Sequence, residues 1–234
     1  MLFLAIAIVV SVWSRKIDAL GGIAGGCIAY ALYVALGWLG IFLIGGFFVL
    51  GTAASRWKMH RKAQYGVAEE RAGRRSWPNV LGNAGVPLAL SLMVIGWPES
   101  APVGSVLIAA CFAAALSDTW SSELGNAHGS RFYEVLSGKP GQRGNDGVVS
   151  SEGSLAGLIG SGLIAVLYGM FKEWGSAVVV IGVAGLVGNV TDSLLGATLE
   201  RQGRLGNHAV NFLATLAGAL TALGLLLGEK LLHQ

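Results

Sequence analysis

Three clusters of polar residues interrupt otherwise apolar runs of this sequence, and each has residue types and spacing suited to holding a hard cation or a phosphate. The first, Ser117-Asp118-Thr119-Trp120-Ser121-Ser122-Glu123-Leu124-Gly125, follows a wholly apolar stretch. If a helix continues through it, Asp118, Ser121 and Ser122 share one face by i, i+3 and i+4 spacing, and Thr119 and Glu123 share the adjacent one. Carboxylates and hydroxyls grouped in this way suit a hard cation such as Mg²⁺, which is usually held by one or two carboxylates plus substrate phosphates. The bland alternative is an interfacial helix end with Trp120 at the head-group level.

The second cluster is the glycine-rich loop Ser137-Gly138-Lys139-Pro140-Gly141-Gln142-Arg143-Gly144-Asn145-Asp146-Gly147, which runs into Val148-Val149-Ser150-Ser151-Glu152-Gly153-Ser154. Glycines let backbone N–H groups approach an anion, and Lys139 and Arg143 add positive charge. A helix start bearing Ser150 and Ser154 would complete a phosphate cradle. It is not a P-loop, because Gly-Lys-Ser/Thr after a strand is missing. The third cluster is Asn189-Val190-Thr191-Asp192-Ser193, where Asp192 lies inside an apolar run with Asn189 one turn before it and Gly196 one turn after. Thr191-Asp192-Ser193 echoes Ser117-Asp118-Thr119, and two such triplets at similar depth would flank one metal.

Amides add to this set. Asn79 pairs with Asn83 and Asn207 with Asn211 at helical spacing, suited either to orienting ligand oxygens or to hydrogen bonding across helices. Arg71-Ala72-Gly73-Arg74-Arg75, just ahead of Asn79, suits a phosphorylated head group or simple attraction to an anionic membrane surface. None of His60, His128, His208 and His233 has metal-ligand spacing to another.

The elements that must position these groups are membrane helices. Hydrophobic residues make up 53% of the 234, charged residues only 12%, and there are 36 glycines. A soluble domain carries about 25% charged residues, so a soluble fold is excluded, as are a disordered chain and, with two cysteines, a disulfide-stapled module. Cys27 and Cys111 lie in apolar segments and read as small hydrophobes. Windows of about 20 apolar residues fall near 2–13, 19–36, 38–54, 79–97, 102–120, 153–171, 176–197 and 207–228. The expected fold is thus all-α: a single integral-membrane domain over 1–234, a polytopic bundle of about eight helices, seven if the short first one does not span. Glycines at 21, 22, 25 and 26 and the group Gly157, Gly160, Ser161 and Gly162 suggest faces for close helix packing.

Charge placement orients the bundle. All lysines and arginines but Lys172 and Lys230 fall in the loops 14–18, 55–78, 121–152 and 198–206, which the positive-inside rule places in the cytoplasm, with both termini outside. All three clusters then lie toward that side. The net charge of +3 follows from topology and anionic lipid, so no nucleic-acid partner is implied.

Read together, these strings identify a resemblance. The three clusters, extended to Asn145–Gly157 and Asp192-Ser193-Leu194-Leu195-Gly196-Ala197-Thr198-Leu199, resemble an integral-membrane family containing the phytyl-phosphate kinases of plants and photosynthetic bacteria and animal transmembrane protein 19. Arg74-Arg75-Ser76-Trp77-Pro78-Asn79-Val80-Leu81-Gly82-Asn83 and Asn207-His208-Ala209-Val210-Asn211-Phe212-Leu213 extend the similarity over nearly the whole chain. Asn145 departs from it, standing where a Thr is expected. The resemblance implies transfer of a phosphoryl group from a nucleotide, typically CTP, to an isoprenoid monophosphate such as phytyl phosphate, giving the diphosphate.

On this basis Asp118 and Asp192 are expected to hold Mg²⁺, with Glu123 as a further ligand and Arg143 a catalytic cation. Ser117, Ser122, Lys139, Asp146, Ser150, Glu152, Ser154 and Asn189 are expected around the nucleotide phosphates, and Arg74, Arg75, Asn79, Asn83, Asn207 and Asn211 around the acceptor. The setting expected is the plasma membrane, with the site facing the cytoplasm. The alternatives are a CTP-using prenyl-alcohol kinase, a cytidylyltransferase, or a transporter with Asp118 and Asp192 on its ion path. The transporter fits less well, because its acids belong near the bilayer midplane.

Overall fold

A computed structural model of the protein describes residues 2–68 and 74–232; Arg71 and its neighbours lie outside the described residues. Its helices are α1 (Leu2–Trp13), α2 (Ala19–Leu36), α3 (Trp38–Arg56), the short α4 (Met59–Gln64), α5 (Trp77–Gly96), α6 (Ala101–His128), α7 (Ser151–Phe171), α8 (Ser176–Leu195) and α9 (Asn207–Leu232). Among the described residues seven helices are long and apolar enough to cross a membrane, so the fold is a polytopic all-α bundle. The eighth expected span is α1, whose 12 residues reach about 18 Å at 1.5 Å each, short of a hydrocarbon core of about 30 Å.

Helix α6 is the axis of the bundle. Every residue from Gly104 to Ser117 is buried, as expected of a helix that is apolar all round, whereas the other spanning helices bury half or less of their residues and turn the rest to lipid. Small side chains let the neighbours close in. At Gly185 of α8, a β-carbon would overlap Ser161 Oγ of α7 and come within 2.7 Å of Ala113 Cβ of α6. Van der Waals contact at small residues replaces the hydrophobic drive that lipid removes. The glycines at 21, 22 and 26 of α2 similarly seat Ile17, Val12 and Ile8, whereas Gly162 faces open space and packs against nothing.

The basic loops gather at one end. Ile17 and Arg75 form a parallel bridge, Arg56 donates to Arg15 O at 3.2 Å, and Trp57 Nε1 donates to His128 Nε2 at 2.9 Å. A two-stranded antiparallel ribbon, β1 (Tyr133–Glu134) with β2 (Val148–Val149), folds the glycine-rich loop over that end. Helix α6 ends eight residues later than the apolar run suggests, at His128, so the Asp118–Glu123 cluster lies within a helix rather than at its tip.

Candidate active site

The continuation of α6 turns Asp118 toward α8, so that the carboxylates of Asp118 and Asp192 face one chamber. Like charges placed this way need a shared proton or a cation between them. Asp192 Oδ2 is buried and has no hydrogen-bond partner. The charges of Glu200 and Asp146 also act on Asp192. Glu200 arrives because α8 runs on into a π-helical turn, Gly196–Glu200, a wide turn often found at functional sites. Asp146 arrives because Gly147 adopts a left-handed φ of 70° and lies so close to Ala197 that any β-carbon would overlap it.

These acids line a chamber of about 160 Å³ together with Ser121, Ser122, Asn126, Asn145, Ser150, Asn189 and Asn207, and among the described residues no lysine or arginine lines it. Beside it lies a cleft of about 810 Å³ that carries the cations: Arg74 and Arg75 line it with Asn79, Asn83, Asn207, Asn211, Thr119 and Glu123. Asp118, Ser122, Asn126, Gly144 and Asn207 border both spaces, so the Asp118 carboxylate stands between the acid-rich chamber and the cleft that Arg74 and Arg75 line.

All six residues expected around the acceptor therefore meet in one cleft. Asn83 Nδ2 donates to Asn79 O at 3.0 Å, leaving the buried Asn79 Oδ1 without a partner. Asn211 Nδ2 donates to Asn207 Oδ1 at 3.3 Å. The Arg75 guanidinium lies 4.6 Å from the centre of the Phe47 ring, in space that a side chain at Gly51 would fill. Its backbone is fixed by Asp18 N–H and Lys16 O, each at 3.0 Å.

Several expected residues are placed elsewhere. Arg143 does not line the chamber or the cleft. It donates to Asn126 O at 2.6 Å and Gly129 O at 2.7 Å and stacks on Tyr65 and Phe132, 4.1 and 4.6 Å from their ring centres. These contacts tie the loop to α6. Lys139 is exposed at the ribbon turn, away from both spaces. Glu152 turns to Ser130, accepting from its N–H at 3.0 Å and its hydroxyl at 2.7 Å, and Ser154 is exposed because its neighbour Gly153 is the residue packed on α6. Ser117 lies beneath the chamber at the helix junction, its Oγ against Gly157 and without a partner. Glu123, expected at the metal, is ion-paired to Lys62 at 2.5 Å. Ser122, Asp146, Ser150 and Asn189 do reach the chamber.

The sequence reading missed Lys62, which is fully buried and also donates to Ser55 O at 2.5 Å and Ala54 O at 3.3 Å. It missed Asn126 and Glu200 as chamber residues, and Arg201, which reaches Glu134 at 3.1 Å and Asp146 O at 2.6 Å. Hydrogen bonds from Ser137 and then Arg201 hold the Glu134 carboxyl below the ordinary carboxylate range.

Among the described residues no three His, Cys, Asp or Glu side chains converge tightly enough to hold a metal ion by themselves. Two carboxylates, one with an orphaned buried oxygen, beside hydroxyls and amides do fit an ion that completes its shell with water and substrate phosphate. Mg²⁺ behaves in that way.

Comparison with known proteins places the chain. Residues 2–219 match the family described as integral membrane protein DUF92. An uncharacterised membrane protein of Synechocystis is 34% identical over 197 residues, 83% of this chain and 76% of that one. An uncharacterised membrane protein of Methanocaldococcus jannaschii is 34% identical over 208 residues, 88% of this chain and 84% of that one. Protein VTE6, chloroplastic, of Arabidopsis thaliana is 35% identical over 198 residues, 81% of this chain and 59% of that one. No solved structure matches the chain. A match across nearly all of the sequence, with relatives covered over most of their length, makes this protein a member of the DUF92 family of integral membrane proteins.

Proposed function

We propose that the protein is a nucleotide-dependent prenyl-phosphate kinase, which moves the γ-phosphoryl group of CTP or a similar triphosphate onto an isoprenoid monophosphate such as phytyl phosphate. The observation that carries the reading is the Asp118–Asp192 pair with its orphaned oxygen, set between a chamber lined, among the described residues, by no lysine or arginine and a cleft lined by Arg74 and Arg75. Four carboxylates in one chamber repel phosphate unless a divalent ion intervenes. Held by Asp118 and Asp192, Mg²⁺ would supply charge neutralisation for the nucleotide phosphates.

The protein's own groups do the rest. Arg74 and Arg75 neutralise the acceptor phosphate, and Asn79, Asn83 and Asn211 orient its oxygens. Ser122, Ser150 and Asn189 offer polar contacts on the nucleotide side. A phosphate monoester has a second pKa of about 6 and is mostly dianionic at pH 7, so no strong general base is needed. One acceptor oxygen bonds to the γ-phosphorus as the bond to the β–γ bridging oxygen breaks, releasing CDP. Positioning and charge then account for the catalysis. The positive-inside rule supports a site on the cytoplasmic side, where nucleotide is available, with the lipid acceptor drawn from the bilayer.

The test is turnover by purified protein in nanodiscs with Mg²⁺, CTP and prenyl monophosphates of several chain lengths, with products resolved by mass spectrometry. Prenyl diphosphate with CDP is the expected result. Pyrophosphate with a CDP-linked lipid would reassign the protein to the cytidylyltransferases, phosphorylation of a prenyl alcohol to the alcohol kinases, and no turnover by folded protein would favour a transporter.

A further inference from the structure

On the far side of Arg75 from the polar cleft lies a groove of about 320 Å³ between α1, α2, α3 and α5. Among the described residues its lining is apolar except for Ser11 and for Lys16 and Arg75, and the bridge between Ile17 and Arg75 keeps those two cations together at one end. Side chains are missing where the groove runs. A β-carbon at Gly45 of α3 would meet nothing within 4 Å, and one at Gly25 of α2 nothing nearer than Ile17 Cδ1 at 4.0 Å. Phe47 lines the groove and lies against the Arg75 guanidinium, so this one arginine borders both the cleft and the groove.

We propose that this groove seats the isoprenoid chain of the acceptor, with its phosphate held at Arg75 on the cleft side. The proposal rests on the prenyl-phosphate kinase reading and adds the path of the tail. Two cations at one end of a narrow apolar trough complement a lipid with an anionic head and one apolar chain. The open positions at Gly25 and Gly45 leave room for a branched chain beside the helix backbones. The bilayer is as apolar as the groove, so seating the tail gains little from burial. It orients the head group, which fixes the phosphate oxygen for attack.

The experiment compares Gly25→Leu and Gly45→Leu with Gly162→Leu, whose β-carbon also meets open space but away from the groove. The readout is the ratio of kcat/KM for geranylgeranyl phosphate over dimethylallyl phosphate, with thermal unfolding as a control on folding. A filled groove lowers that ratio by about tenfold or more, in line with the cost of overpacking an occupied site, and Gly162→Leu leaves it unchanged. A ratio equal to wild type in both groove variants overturns the proposal. Photocrosslinking with a diazirine-tailed geranylgeranyl phosphate, without nucleotide, separates this from the kinase reading. Labelling of α1–α3, displaced by untagged prenyl phosphate and not by excess phosphatidylglycerol, supports the groove even if wild-type protein makes no diphosphate. Labelling elsewhere, or equal displacement by phosphatidylglycerol, overturns it.

Discussion

Removing the Glu123 charge separates two roles that the residue could play. Its carboxylate meets the buried Lys62 ammonium at 2.5 Å, and Lys62 is further held by Ser55 O and Ala54 O. Because Lys62 is fully buried, Glu123→Gln leaves a cation in the bundle with only neutral acceptors. Breaking a buried pair from one side costs about 3–5 kcal/mol, whereas replacing both partners by apolar groups is often close to neutral. Lys62→Met should cost a similar amount, and the double variant Lys62→Met/Glu123→Leu should recover most of both costs, giving a coupling of about 5 kcal/mol or more. Reversible unfolding in mixed detergent measures these values, and a Mg²⁺ titration of turnover in the same proteins measures the alternative. A stable Glu123→Gln protein that needs several-fold more Mg²⁺ would refute the structural role and return Glu123 to the metal site.

Asp118→Asn and Asp192→Asn should each lower turnover by about 100-fold or more, the order a bound metal supplies, without loss of thermal stability, since each removes one of two facing charges. Gly185→Val should destabilise by about 1–3 kcal/mol or prevent folding, because its added carbons overlap α6 and α7, while Gly182→Val on the same helix, where a β-carbon meets nothing within 4 Å, should be neutral in the same unfolding assay. Arg143→Ala should expose the 129–147 loop to limited proteolysis while leaving the KM for nucleotide within about twofold; it surrenders two hydrogen bonds to carbonyls, each worth about 1.5–3 kcal/mol when charge-assisted. A large rise in that KM with the loop still protected would make Arg143 a phosphate ligand. The Glu134–Arg201 latch should weaken in acid. The Glu134 carboxyl titrates below its usual range when folded, so the latch is intact above about pH 4.3 and is lost as pH falls through the lowered value. Hydrogen exchange of β1 and β2 at graded pH checks this, and Glu134→Gln should remove the dependence.

The membrane helices were legible because an apolar run of about 20 residues has few other uses, and the shared basic end followed from counting lysines and arginines. The Asp118–Asp192 pair was legible for the same reason, since acids are costly inside apolar helices without a purpose. Lys62 was hidden in the opposite way. Within Arg56-Trp57-Lys58-Met59-His60-Arg61-Lys62 it reads as one more surface cation, and only the turn into α4 sends it inward to Glu123, 61 residues away. Arg143 misled because an arginine in a glycine-rich loop suits phosphate, yet its partners here are carbonyls of the preceding helix end, which no spacing reveals. Asp146 and Glu200 join Asp192 in one chamber through a glycine packed against Ala197 and a π-helical turn, local geometries that composition does not announce.

The central claim is that Asp118 and Asp192 together hold a divalent ion for phosphate chemistry. Electron paramagnetic resonance of Mn²⁺ titrated into the protein with bound CTP tests it directly. The account predicts a tight site in wild-type protein that is lost in both Asp118→Asn and Asp192→Asn, while wild-type Mn²⁺ affinity in the two folded variants would contradict it.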